Sequence, residues 1–211
     1  RKEYGEDTAL GARRTSIREA APAVEFSMDA MIEKEPITVI LSARGWIRAA
    51  KGHVDLTQDW KFKEGDELAF VFHAQTTDKL LIATDDGRFF TMGADKLPGA
   101  RGFGEPVRTM LDIDNAAHIV ASWAHKPGER LLLASTLGKG FVIKSDDLLA
   151  ETRKGRAVMN LKGDAKLAKV AHIGEGHDHV AVVGDNRKLV VFNLEEMPEM
   201  QRGQGVQLQR Y

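Results

Sequence analysis

No cysteine occurs among the 211 residues, which excludes disulfides and thiolate-held metal and fits a cytosolic chain. No stretch of about 18 apolar residues is present and the start carries no signal-peptide pattern, so the sequence predicts neither a membrane span nor export. An excess of one charge is missing too: 30 Lys and Arg against 31 Asp and Glu give a formal charge of −1. A strongly basic nucleic-acid binder is thereby excluded, and any such site requires local segregation of charge. The signatures of catalysis are absent as well: there is no Gly-x-Ser-x-Gly, no Gly-x-x-x-x-Gly-Lys-Ser/Thr and no His-Glu-x-x-His. Gly99, Gly102 and Gly104 cluster, but Pro106 follows and no helix is on hand to receive a pyrophosphate. Glu175, His177 and His179 straddle a predicted hairpin turn and read as turn residues rather than metal ligands. Asp85/Asp86 and Asp146/Asp147 likewise read as turn and cap residues.

What is present is repetition. Lys79-Leu-Leu-Ile-Ala-Thr-Asp-Asp-Gly-Arg-Phe-Phe-Thr91 recurs as Arg130-Leu-Leu-Leu-Ala-Ser-Thr-Leu-Gly-Lys-Gly-Phe-Val142, and more loosely at Asp178–Val190. Leu81 to Leu132 and Gly87 to Gly138 are both offset by 51. A fixed period of this size marks modules that bury their apolar faces only against neighbours, so the chain predicts a propeller-like all-β array. Strands are expected near 67–73, 79–84 and 88–92, then 118–124, 130–135 and 140–144, then 168–173, 179–183 and 188–192. Single helical turns are expected at 94–97, 146–150 and 195–200. Ahead of them stands a hairpin, Ile37–Leu41 and Trp46–Ala49, with no leading strand of its own. Residues 1–35 read as a linker, with short extended pieces at Arg13–Arg18 and Val24–Met28, and as the nearest candidate to complete that first blade. The blades are placed at about 37–57, 66–106, 117–158 and 167–208 within a 36–211 domain.

Each unit closes on a glycine-rich basic turn: Ala100-Arg-Gly-Phe-Gly-Glu-Pro106, Thr152-Arg-Lys-Gly-Arg-Ala-Val158 and Gln201-Arg-Gly-Gln-Gly-Val206. Taken singly, such a turn is an ordinary interblade link with solvated cations. Three in register present cations at blade spacing, a pattern suited to a long polyanion read through its phosphates. The candidate contacts are Arg44, Arg48 and Lys51 at the first hairpin, Arg88 and Arg101 in the second unit, Lys139, Lys144, Arg153, Lys154 and Arg156 in the third, and Arg187, Lys188 and Arg202 in the fourth. Between Lys126 and Arg156 seven Lys/Arg face four Asp/Glu. Strand alternation puts Trp46 and Arg48 on one face and Ile47 on the other, so an inward Ile47 predicts Arg48 on the rim. Trp46, Trp60 and Trp123 are expected as core or interblade filler.

The segments Glu35–His53, Leu97–Pro106 and Gly11–Ile17 closely resemble the C-terminal domain of the A subunit of bacterial DNA topoisomerase IV, over essentially the whole chain. The related gyrase A domain shares the fold. The resemblance implies a strand-exchanged β-pinwheel with duplex DNA along its outer edge, acting as a non-catalytic domain that guides the transported segment for decatenation and supercoil relaxation. It further implies that the catalytic tyrosine lies outside the chain, leaving Tyr4 and Tyr211 without that role. The expected partners are duplex DNA, the remainder of the homodimeric breakage-reunion polypeptide, the separate ATPase polypeptide and a possible regulatory protein. The chain itself is expected to hold no cofactor, while the full enzyme uses ATP and Mg2+ in the cytoplasm, associated with the nucleoid. The gyrase Gln-Arg-Arg-Gly-Gly-Lys-Gly box is absent, the first blade offering only Ala49-Ala-Lys-Gly-His53, which favours topoisomerase IV over gyrase. Many members carry a further degenerate blade, expected here after residue 211. The alternative reading is a propeller-like protein-interaction scaffold, but Gly-Gly pairs and a Trp-Asp signature are missing.

Overall fold

The structure, a computed structural model, describes residues 32–185 and 187–209; the expected linker up to residue 31, with its extended pieces, lies outside the described residues, as do Tyr4 and Tyr211. In chain order the strands are β1 (Pro36–Ser42), β2 (Trp46–Lys51), β3 (Leu68–Gln75), β4 (Lys79–Thr84), β5 (Arg88–Gly93) and β6 (Glu105–Pro106). One helical turn, α1 (Val107–Met110), precedes β7 (Ile119–Ala124), β8 (Arg130–Ser135), β9 (Lys139–Lys144) and β10 (Arg156–Ala157). Then come β11 (Leu167–Ile173), β12 (His179–Val183), β13 (Leu189–Asn193) and β14 (Val206–Gln207). Single 3-10 turns at Ala94–Lys96, Ser145–Leu148 and Leu194–Glu196 sit where helical turns are expected.

These strands form three four-stranded antiparallel sheets and one two-stranded sheet, in the orders β3-β1-β2-β6, β10-β5-β4-β7, β11-β8-β9-β14 and β12-β13. The middle of each four-stranded sheet is a local hairpin, and both outer strands come from the unit that follows in sequence. Each of the stretches 66–106, 117–158 and 167–208 is therefore shared between two sheets. The first hairpin shows the consequence most plainly. Among the described residues it is completed by β3, paired from Pro36↔Gln75 to Ser42↔Leu68. The last residues of the expected linker belong to this arrangement: Glu35 N donates to Thr76 Oγ1 at 2.9 Å and Thr76 N to the Glu35 carbonyl at 3.0 Å.

The hairpin strands are nearly continuous apolar runs because both of their faces are covered. Leu80, Ile82, Phe90 and Met92 pack with Val39, Leu41 and Ile47 of the first sheet, whereas Leu81, Ala83 and Phe89 pack with Leu131, Leu133, Phe141 and Ile143 of the third. Val142 and Leu132 turn the other way, toward Val180 of the fourth. Period-two alternation thus feeds a separate core on each side of a sheet. Each fully buried Phe contributes about 1.5–3 kcal/mol. Trp123 is buried and meets Phe89 edge-on with ring centroids 6.4 Å apart, the interblade filler expected of it, while Trp46 and Trp60 are half-buried. The remaining face of the first sheet has no neighbouring sheet among the described residues. The 52–66 link covers it, pinned by Thr38 Oγ1 donating to the Gly52 carbonyl (2.8 Å) and accepting from Val54 N (3.1 Å).

Candidate nucleic-acid interface

The three basic turns are built alike. Each arches away from the second strand of a hairpin and is fastened to that strand's surroundings at both ends. The first begins where Ala49 N donates to the Pro98 carbonyl (2.9 Å) and ends in β6, where Ile47 pairs with Glu105. The second begins where Ala150 N donates to Thr91 Oγ1 (2.9 Å) and ends in β10, where Phe89 pairs with Arg156. In the third, Val142 N donates to the Pro198 carbonyl (2.9 Å) and β14 pairs Val206 with Gly140. Gly104, Gly155 and Gly205 close the turns with φ of 88°, 65° and 77°. A Cβ on Gly104 would collide with the Ile47 carbonyl, so the backbone approaches its strand more closely than a side chain permits.

Successive turns are also tied to one another. Asp112 N, just past α1, donates to the Arg153 carbonyl at 2.9 Å, and Arg153 Nη2 donates to the Thr109 carbonyl at 2.6 Å. One unit further on, Asn160 N donates to the Gly203 carbonyl at 2.8 Å, and Gly203 N to that of Val158 at 3.0 Å. Turn and link alternate into one continuous band along the β2, β5 and β9 edges. The opposite edges are formed by β3, β7 and β11, whose sequences LAFVFHAQ, IVASWA and LAKVAHI hold a single Lys and no Arg.

On this band Arg101, Arg153, Lys154 and Arg202 are exposed and Arg156 is half-buried. Arg101, Lys154 and Arg156 form no ion pair among the described residues, whereas Arg153 Nε lies 3.8 Å from Asp112 Oδ1 and Arg202 Nε donates to Asn160 Oδ1 at 3.3 Å. Arg88 is half-buried and donates to the Lys154 carbonyl at 2.6 Å, so it shapes the second turn from beneath. Lys139 donates to Gln204 Oε1 (3.1 Å) and Lys144 pairs with Glu199 (3.3 Å), both within reach of the third turn. Arg44 donates to the Glu64 carbonyl at 3.3 Å, and Lys51 is exposed, 3.7 Å from Glu35. Arg187, at φ 61°, and Lys188 are exposed at the β12–β13 turn, where the Lys188 carbonyl accepts from Gln209 Nε2 at 3.0 Å.

Arg48 is not on the rim. It is 5% exposed. Its Nη1 donates to the Gly102 carbonyl and its Nη2 to the Lys61 carbonyl, both at 2.6 Å, while the guanidinium lies 5.4 Å from the Phe62 ring centroid. Burial lowers its pKa from the ordinary arginine value. Alternation does oppose it to Ile47, but the face opposite Ile47 is the one under the 52–66 link. A signal for this was in the sequence: three residues past the hairpin glycines Gly45, Gly87 and Gly138 stand Arg48, Phe90 and Phe141, and the two phenylalanines are core. Sequence reasoning also passed over Lys61 and Lys63. In Trp60-Lys-Phe-Lys63 the aromatics are half-buried and the lysines exposed, a period-two pattern in the link. Lys63 Nζ sits 3.3 Å from the Trp46 ring centroid.

No metal-holding group of three His, Cys, Asp or Glu occurs among the described residues, and none of their helices is long and apolar enough to cross a membrane.

Stacked, strand-exchanged sheets with a repeated glycine-arginine turn on one flank define a propeller-like β-pinwheel module. The family model described as DNA gyrase C-terminal domain, beta-propeller, matches residues 78–121, 129–173 and 178–211, more than half of the chain, and the chain belongs to that family. The first two matched stretches run from the first strand of a hairpin to the outer strand that pairs with it, β4 to β7 and β8 to β11. The chain is 48% identical to the A subunit of DNA topoisomerase 4 from Caulobacter vibrioides over 95% of its own length and 26% of the relative's. Among solved structures, the E. coli ParC C-terminal domain superposes with a TM-score of 0.79 at 28% identity, covering 84% of this chain and 72% of that one. A DNA gyrase A C-terminal domain superposes at 0.58 with 18% identity, covering 82% and 59%, a likeness of fold. These likenesses bear out the resemblance drawn from the residues and the expected all-β pinwheel. The chain spans about a quarter of the length of the curated relatives it matches.

Proposed function

We propose that this domain binds duplex DNA along the band of basic turns, through phosphates and without sequence readout, and that it serves as the non-catalytic DNA-guiding domain of a topoisomerase IV breakage-reunion polypeptide. The observation that carries the reading is the shared edge: Arg101, the Arg153–Arg156 cluster and Arg202 lie on three arches linked into one band, whereas the strands of the opposite edges hold a single Lys and no Arg. A duplex laid along it meets cations at successive sheets, and each neutralised phosphate releases condensed counterions. Glycine-rich arches suit this role because they bring backbone N–H groups close to phosphate as well. In the whole enzyme, the domain would steer the transported duplex during decatenation and supercoil relaxation. The catalytic tyrosine and the separate ATPase polypeptide, with its ATP and Mg2+, belong to other parts of that assembly, which acts on the nucleoid in the cytoplasm.

The test is duplex affinity over a salt series, with linear and supercoiled DNA compared. Four band cations engaged at once give a slope of log affinity against log salt near −3.6, at about −0.9 per phosphate. The Lys154→Ala, Arg156→Ala double variant is expected to lose about 1.8 of that slope and to weaken binding equally across sequences. An affinity that does not change with salt would overturn the reading.

A further inference from the structure

Phe103 is 44% exposed at the crest of the first arch, an unusual place for a large apolar side chain on a band otherwise crested by polar residues. Counting one residue back from the closing glycines Gly104, Gly155 and Gly205, the equivalent positions hold Lys154 and Gln204. A lone exposed apolar residue is ordinary. What sets this one apart is how firmly its backbone is held. On one side the Gly102 carbonyl is gripped by buried Arg48 at 2.6 Å; on the other, Gly104 is pressed against the Ile47 carbonyl in a conformation, φ 88°, that only glycine adopts freely. The same guanidinium also grips the Lys61 carbonyl at 2.6 Å, so the segments bearing two exposed cations, Arg101 and Lys61, are tied together by one side chain. Glu105, two residues past Phe103, is exposed and pairs its backbone with Ile47 in the β2–β6 ladder.

We propose that Phe103 is an apolar wedge that enters a base step of the bound duplex and kinks it at the first sheet, with Arg101 and Lys61 on the flanking phosphates and Arg48 as the positioning residue that keeps the arch rigid. The inference rests on the DNA-binding reading above. Proteins that bind the minor groove frequently insert Phe, Leu, Ile or Met between base steps and kink the duplex there. A wedge needs apolar bulk, exposure and a stiff mount, and all three meet at Phe103. Because an inserted ring releases no counterion, its removal alters affinity and bending without altering the salt slope.

The experiment uses the full 211-residue chain and a short duplex carrying donor and acceptor dyes at its ends. Phe103→Ala is expected to weaken binding several-fold and to reduce the bend, with an unchanged salt slope and an unchanged thermal unfolding curve. Phe103→Leu retains much of both, since apolar bulk is kept. Arg101→Ala shows the converse pattern, a slope smaller by about 0.9. If Phe103→Ala binds and bends DNA like the parent, the wedge is overturned and an aromatic anchor for a protein partner takes its place, while the DNA reading stands. If the parent itself fails to bind duplex at low salt, the DNA reading falls and the wedge with it.

Discussion

Lys166 Nζ lies 2.8 Å from Asp85 Oδ2 across 81 positions of sequence, and the pair fastens the β4–β5 turn to the start of β11. His118 N donates to the other carboxylate oxygen at 2.8 Å, and Leu167 N donates to the Asp85 carbonyl at 2.8 Å, so one residue holds three consecutive units together. Burial of Asp85 works to raise its pKa, but hydrogen bonds from Lys166 and His118 outweigh it and hold the carboxyl below the usual range. A depressed carboxyl stabilises the fold above its unfolded value of about 3.9, and that contribution fades as pH falls through the folded value. Asp85→Asn is expected to cost about 1 kcal/mol at pH 7, the half-exposed lysine limiting the loss. The gap between parent and variant should close on acidification toward pH 3, as read by urea unfolding at the two pH values; a gap that stays constant would show that the charge plays no part.

Arg48→Ala removes the donor to the Gly102 and Lys61 carbonyls and the filler of the first sheet's covered face. A loss of about 2–4 kcal/mol is expected by chemical denaturation, with Arg48→Lys recovering part of it. A change within about 0.5 kcal/mol, the scale of an exposed cation, would mean the clamp is not formed.

Two glycines of one turn should respond oppositely to alanine. Gly104 has φ 88° and no room for a Cβ, whereas Gly99 has nothing within 4 Å of that position. Gly104→Ala is expected to lower the midpoint of thermal unfolding by several degrees, through a cost above about 1 kcal/mol, and Gly99→Ala to leave it unchanged. Equal effects at the two sites would contradict the close approach of the turn to β2.

Lysines that differ only in their partners should differ in their effect on DNA. Lys154 has no ion pair among the described residues, while Lys144 lies 3.3 Å from Glu199. Lys154→Ala is expected to reduce the salt slope by about 0.9 and Lys144→Ala by less, because a cation already paired with a carboxylate releases fewer counterions from the duplex. Identical slopes for the two variants would remove the pairing argument.

Strand positions were legible because each strand carries its own period-two pattern and each hairpin its own turn. β4, β8 and β12 start and stop within a residue of where the repeats put them. Partnership was not legible. β3 reads LAFVFHAQ whether it pairs with the hairpin before it or after it, since both edges offer the same apolar surface. The turn cations were found by repetition, which survives without knowledge of the fold. Arg48 was misplaced because alternation specifies a face but not what lies over it; the aligned Phe90 and Phe141 carried that information.

Strand exchange makes the order of the chain and the order of the solid object different things. The link at Lys162 and Gly163 is exposed and divides the sequence between β10 and β11. A protease that cuts there separates two polypeptides that still grip each other: β11 and β14 of the second piece remain zipped to β8 and β9 of the first, one on each side of the hairpin. The nicked protein is expected to travel as one body on a sizing column and to fall apart only in denaturant, as a clasp stays shut when the strap behind it is severed.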